Sequence, residues 1–282
     1  MENLKLNPEE LLFINGKLTK SVSGETYDII NPTTEEVVGK VAAANAKDAD
    51  LALEAARRCS DETDWATNTE KRARALVQLR DGLLAVADEW RHQLVAESGV
   101  PLAFTFGPML NSSLSDINYV LDVLNNYAFE EEIEDLGSPM GGPARRIVRK
   151  EAAGVVVAIT PWNAPVQTNL QKIIPALASG CTVVLKASNN TPWAATMIGR
   201  VASQCPDLPA GALNILTSSP NANIGSLLTS DLRVDVVSFT GSTTTGSRVM
   251  ENAAKTIKKT LLELGGKSAM IVLDDADFTQ VL

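Results

Sequence analysis

Four places in this sequence combine residue types and spacing that can do chemistry. In Pro161-Trp162-Asn163-Ala164-Pro165, two prolines fix the backbone around an asparagine. The amide of that asparagine can donate a hydrogen bond to an oxyanion, although a rigid loop with Trp162 in the core uses the same residues. In Gly241-Ser242-Thr243-Thr244-Thr245-Gly246, a glycine-bounded turn lies between an apolar run and a helical pattern. Backbone N–H groups at such a helix start receive phosphate, and the glycines let a ligand come close. The spacing is not G-x-G-x-x-G, and an ordinary turn and cap is built in the same way. Lys186 closes the apolar run Cys181-Thr182-Val183-Val184-Leu185. Its amine either meets solvent or holds ribose hydroxyls or phosphate. Glu263 follows Thr260-Leu261-Leu262. A carboxylate in an apolar stretch has a raised pKa, which suits a general base; an exposed or ion-paired glutamate is the simpler reading.

These residues need a frame, and the second half of the chain supplies one. The run 154–159 is continuously apolar, as a strand buried on both faces is, and 181–186, 212–216 and 234–239 read as further strands. Between them lie helical patterns near 168–179, 193–204 and 222–230, and another follows to about 255. Four consecutive strand–helix units predict a parallel sheet covered by helices, an α/β Rossmann-like domain. Each chemical residue then falls at the carboxyl end of a strand, where open parallel sheets place their ligands. Later strands are expected at 261–264 and 270–273. Thr191-Pro192 is expected to cap the helix at 193.

The first half reads differently. Short strands and turns occupy 12–45, and a helix follows at about 47–60. Thr67 and Glu70 have capping-box spacing, and Leu76, Leu79, Leu83, Val86, Trp90 and Leu94 recur at helical period up to Gly99 and Pro101. Another helix covers 110–129. An acidic arm at 130–132, a Gly/Pro tip at 137–143 and a basic arm at 145–150 form a candidate exposed hairpin with opposite charges facing across it. It is either a solvated excursion or a strand pair used for assembly.

Composition narrows the class. The 282 residues are 45% hydrophobic and 21% charged, ordinary soluble composition with ample core for one or two domains. A net charge of −9 argues against a broad nucleic-acid surface. The amino terminus lacks the pattern of a secretory leader, no apolar stretch is long enough to span a bilayer, and the cytoplasm is the default location. Cys59, Cys181 and Cys205 are too few and too scattered for a disulfide framework or a metal site, and none has the context of a nucleophile. His92, the sole histidine, reads as an ordinary helix residue.

In their order, these motifs resemble the cofactor half of the NAD(P)-dependent aldehyde dehydrogenase superfamily. Phe13-Ile14-Asn15-Gly16, Ile30-Asn31-Pro32, Glu97-Ser98-Gly99 and Asp274-Asp275-Ala276-Asp277 extend the resemblance along essentially the whole chain. The resemblance implies an NAD(P)-binding domain from 1–124 and 152–257, an oligomerisation hairpin at 125–151, and the beginning of a catalytic domain at 258–282. It implies oxidation of a small aldehyde through a cysteine thioester, in a homo-oligomer, with no nucleic acid, membrane or metal involved. Asn163 would donate to the oxyanion and Glu263 would activate water. Lys186 would hold the adenosine ribose and Ser242 the pyrophosphate. Ile159, Thr160, Pro161, Trp162, Gly225, Phe239, Gly241, Thr245 and Leu264 would line the cleft of NAD or NADP. Asn189 stands where the family often has a ribose-binding glutamate, which leaves both dinucleotides open. The family's nucleophilic cysteine lies some tens of residues beyond the glutamate. Only 19 residues follow Glu263 and none is Cys, so this polypeptide alone is expected to be inactive, a fragment or a nucleotide-binding or subunit-pairing module. Phe106, Met109 and Leu110 fit either a substrate tunnel or a helix core, and the aldehyde itself is not specified.

Overall fold

The computed structural model describes residues 6–135 and 137–281; the amino-terminal start discussed above lies largely outside them. The first elements are β1 (Leu12–Ile14), β2 (Lys17–Thr19), β3 (Thr26–Ile30) and β4 (Val37–Ala42). Helices α1 (Ala46–Glu62), α2 (Thr69–Ala85), α3 (Ala87–Ser98), α4 (Leu102–Thr105) and α5 (Asn111–Asn126) follow. A hairpin of β5 (Glu130–Ile133) and β6 (Arg146–Arg149) leads into β7 (Val155–Ile159), α6 (Pro165–Ala178), β8 (Thr182–Lys186), α7 (Trp193–Ala202) and β9 (Leu213–Leu216). The chain continues through α8 (Ile224–Ser230), β10 (Val236–Thr240), α9 (Thr243–Ala254) and β11 (Lys259–Glu263).

Seven strands form one sheet in the order β11-β10-β7-β8-β9-β1-β2. Strands β11 through β9 are parallel, and β1 and β2 add an antiparallel margin. The expected parallel sheet is therefore present, and it continues past residue 257 because β11 pairs with β10 along its whole length. Period-two alternation sorts the side chains into two cores. Val155, Val157, Val184, Val237 and Phe239 pack with α1, α8 and Val249 of α9. Ala158, Val183, Leu185 and Ile215 pack with α2, α6 and α7 on the opposite face. The chain steps from β7 to β9 through α6 and α7 on one face, then returns through α8 on the other to place β10 beyond β7. This reversal opens a crevice between the carboxyl ends of β7 and β10.

Local chemistry explains the helix starts. Asn45 accepts from Lys47 N (2.8 Å) and Asp48 N (3.3 Å), and Asp48 reaches back to Asn45 N (2.8 Å), a closed capping box for α1. At α2 the cap is Asn68, which accepts from Lys71 N at 3.0 Å, and not Thr67. The single long amphipathic helix expected over this region is two helices broken at Val86 (ψ 7°). Its apolar stripe hides the break, because Leu83 and Trp90 on either side remain buried in one core.

The hairpin forms as its charges suggested. Glu130 lies opposite Arg149 and bonds it at 2.6 Å, and Glu132 bonds Arg145 at 3.1 Å. All four side chains are more than half exposed, so each pair is worth about 1 kcal/mol or less. The strand expected at 270–273 does not form: Met270 and Ile271 are 84% and 81% exposed, and among the described residues no strand pairs with the outer side of β11. No helix of the described residues is long and apolar enough to cross a membrane.

Candidate functional site

Strand register brings the predicted residues to one edge. Ile159 stands opposite Lys186 on β8 and Phe239 on β10, and Thr240 stands opposite Glu263 on β11. Just above β7, Thr160 is buried; its N–H donates to Lys186 O at 3.3 Å, while its Oγ1 has no partner among the described residues. Pro161 is half-buried, whereas Trp162 (57% exposed) and Asn163 lie at the surface. Pro165 then occupies the first turn of α6, where its missing N–H costs nothing.

The crevice is shaped by three glycines, each paired with an apolar side chain. A Cβ on Gly241 would lie 2.5 Å from the Phe239 ring, and one on Gly246 would lie 2.6 Å from Leu264 Cδ2. At Gly225, in the first turn of α8, the nearest atom to such a Cβ would be Ile159 Cδ1 at 3.9 Å, an ordinary van der Waals contact. Ile159, Gly225, Phe239, Gly241 and Leu264 therefore converge on the side of the sheet covered by α8 and α9. Ser242 caps α9 by accepting from Thr245 N at 3.2 Å, and its hydroxyl also donates to Thr245 Oγ1 at 3.0 Å. Helix α9 thus begins at the crevice mouth, with its first N–H groups facing outward from the sheet edge.

Lys186 ends β8 largely buried, and burial holds its pKa below the ordinary lysine value. Asn189 follows in the loop after β8, half-buried, with Nδ2 donating to Asn190 Oδ1 at 2.7 Å. Asn189, Asn190 and Trp162 border a cavity of about 450 Å³ whose floor includes Tyr27, Glu97 and Thr191.

Glu263 departs from expectation. It is exposed, not desolvated, because β11 is an edge strand and its alternation turns Leu262 toward the core and Glu263 away. The same alternation puts Glu263 and Leu264 on opposite faces, so the site wraps around the sheet edge. On the α6 face, Glu263 borders a groove of about 650 Å³ with Thr168, Lys172, Ser238 and Thr240. Lys172 was not foreseen. Its Nζ donates to Ser238 Oγ at 2.8 Å; burial lowers its pKa and the nearby Glu263 charge partly restores it. The available signal was that Lys172 is the sole charged residue in the sequence of α6.

An edge with a helix N-terminus, a buried amine, an orphaned hydroxyl and an exposed amide donor suits a phosphorylated ligand on one face and a reacting carbonyl nearby. Known proteins match this chain in sequence and fold. The sequence pattern of the aldehyde dehydrogenase family matches residues 18–282. The chain belongs to the aldehyde dehydrogenase family. A curated relative from Staphylococcus aureus (strain bovine RF122 / ET3-1) is 39% identical over 272 residues, which is 95% of this chain and 54% of the relative. An NADP-dependent enzyme from E. coli superposes with a TM-score of 0.89 at 34% identity, covering 98% of this chain and 56% of that one. Betaine aldehyde dehydrogenase from Staphylococcus aureus, solved with NAD+, superposes with a TM-score of 0.87 at 30% identity, covering 97% and 53%. This chain spans about half the length of these similar proteins.

Proposed function

We propose that this chain is the dinucleotide-binding half of an NAD(P)-dependent aldehyde dehydrogenase, whose intact form oxidises an aldehyde to a carboxylic acid. The observation that carries this reading is the convergence of Ile159, Gly225, Phe239, Gly241 and Leu264 on the β7/β10 crevice, beside the capped start of α9. The residues fit the cofactor. Thr160 Oγ1 is buried without a partner among the described residues, Lys186 offers a buried amine, and α9 offers N–H groups to a pyrophosphate. The dinucleotide, when bound, supplies a hydride acceptor. Lys186 and Asn189 hold its adenosine ribose. Neutral Asn189 opposes no 2′-phosphate and still accepts from a 2′-hydroxyl, so NAD and NADP both fit.

Across the sheet edge, Asn163 donates to the oxygen of the reacting carbonyl, and Glu263 takes the proton from the hydrolytic water. Lys172 lies close enough to Glu263 for the carboxylate to act on its amine. The three thiols serve elsewhere. Cys59, Cys181 and Cys205 are all buried, and they cluster toward the amino ends of β8 and β9, away from Asn163. The 282-residue polypeptide therefore binds dinucleotide without oxidising aldehyde, and its exposed hairpin pairs subunits.

Titration of the purified chain with NAD+ and NADP+, followed by Trp162 fluorescence or calorimetry, tests this. Saturable binding with no cofactor reduction across a panel of small aldehydes is the expected result. Absence of binding overturns the reading as a whole; turnover overturns the role given to this polypeptide.

A further inference from the structure

The loop that carries Asn189 hangs between two anchors. One is Lys186 at the end of β8. The other is the start of α7, whose first N–H groups are buried and need acceptors. Sequence pointed to Thr191 as the cap. In the structure Thr191 Oγ1 is buried without a partner among the described residues, and Pro192 occupies the cap position with no side chain able to accept. The acceptor comes from another helix. Glu97, near the end of α3, is fully buried; its Oε2 accepts from Trp193 N at 2.8 Å and its Oε1 from Ala194 N at 2.7 Å. Trp193 is itself clamped: its Nε1 donates to Lys40 O at 3.3 Å, and its ring fills the space where a side chain on Gly39 would stand. Glu97 and Asn189 border the same cavity.

We infer that Glu97 is a positioning residue for nucleotide binding: by capping α7 from α3, it sets the 187–192 loop so that Asn189 meets the adenosine end of the ligand. This rests on the dinucleotide reading above. A carboxyl group serves because each of its oxygens carries a lone pair for one N–H, whereas an amide offers one acceptor and turns an N–H₂ against the second donor. Burial pushes the Glu97 carboxyl up to about 8 against the pull of the two N–H bonds, so the site holds this group at a cost that a purely decorative residue would not carry.

The test is Glu97→Gln in the full chain, titrated separately with adenosine monophosphate and nicotinamide mononucleotide. With a circular dichroism spectrum like that of the wild type, adenosine monophosphate should bind about tenfold more weakly and nicotinamide mononucleotide should be unaffected, the order expected when one buried N–H loses its acceptor. Unchanged adenosine monophosphate affinity overturns the inference. So does an equal loss for both fragments, which would mark general loosening of the fold. Hydrogen exchange on the wild-type chain covers a variant that fails to fold. Adenosine monophosphate should slow exchange at Trp193 and Ala194, since coupling between ligand and cap is reciprocal; no change there overturns the inference as well. A wild-type chain that binds neither fragment fails at the earlier step, the dinucleotide reading, and takes the inference with it.

Discussion

Strands β7 and β11 lie two places apart in one sheet and have opposite surroundings. Val155, Val157 and Ala158 of β7 are fully buried between two helical layers, whereas Leu261 of β11 is 59% exposed and β11 has no neighbour on its outer side among the described residues. The crevice proposed to take the nucleotide borders the finished strand, and Glu263 sits on the open one. The difference teaches that the two halves of the site make unequal demands. The cofactor side is defined by packing within this chain; the carboxylate side has its register fixed here but its surroundings left open to solvent.

The sharpest contrast should come from placing the same charge in both strands. Val157→Asp buries an unpaired carboxylate between two cores and should cost about 4 kcal/mol or more, while Leu261→Asp should stay within roughly 0.5 kcal/mol, read as shifts of urea midpoint. Similar costs at the two positions would erase the distinction. Next in size is Lys186→Met, which should weaken dinucleotide binding by roughly tenfold or more, as expected for a lost bond to a charged group. The same variant carries a pH signature. The folded chain holds fewer protons at Lys186 than the unfolded chain between its lowered pKa and the ordinary value of 10.5, so wild-type stability rises with pH across that window. The variant should therefore be the more stable protein at neutral pH, and its advantage should fade as pH approaches 10.5. A constant difference in melting temperature from neutral to alkaline pH would contradict this.

Smaller effects refine the picture. Ser242→Ala removes the cap of α9 and should cost about 1 kcal/mol in thermal unfolding, together with weaker nucleotide binding. If stability falls and binding does not, the start of α9 lies outside the nucleotide path. Smallest of all, Glu130→Lys on the exposed hairpin should change stability by no more than about 0.5 kcal/mol, and added salt should remove the change. That holds for the dilute, unpaired chain; at concentrations where the hairpin pairs subunits the loss should become larger and salt-resistant, and the same small change there would contradict pairing.

Legibility in the sequence follows the same divide. The runs of β7, β8, β9 and β10 are read directly, because burial on both faces leaves few polar positions in them. The crevice residues follow from those strand ends. Three features were not legible, each for a specific reason. Val86 breaks a helix without breaking its stripe. The cap of α7 comes from Glu97, 96 positions away from Trp193, where no local motif can show it. Glu263 follows three residues that look like a core, yet an edge strand buries only alternate positions, so neighbouring leucines say nothing about its own exposure.

The antiparallel margin of the sheet carries a cost in time. Leu12, Phe13 and Ile14 are buried, and β1 can take its place only beside β9, where Asn214 accepts from Asn15 N across a sequence separation of 199 residues. A ribosome adding about 5–20 residues per second needs roughly 10–40 s to make that partner. Through this interval an apolar strand waits in the nascent chain while β7 and β8 are still being made. Keeping β1 to three residues limits the edge that other chains can seize in the meantime.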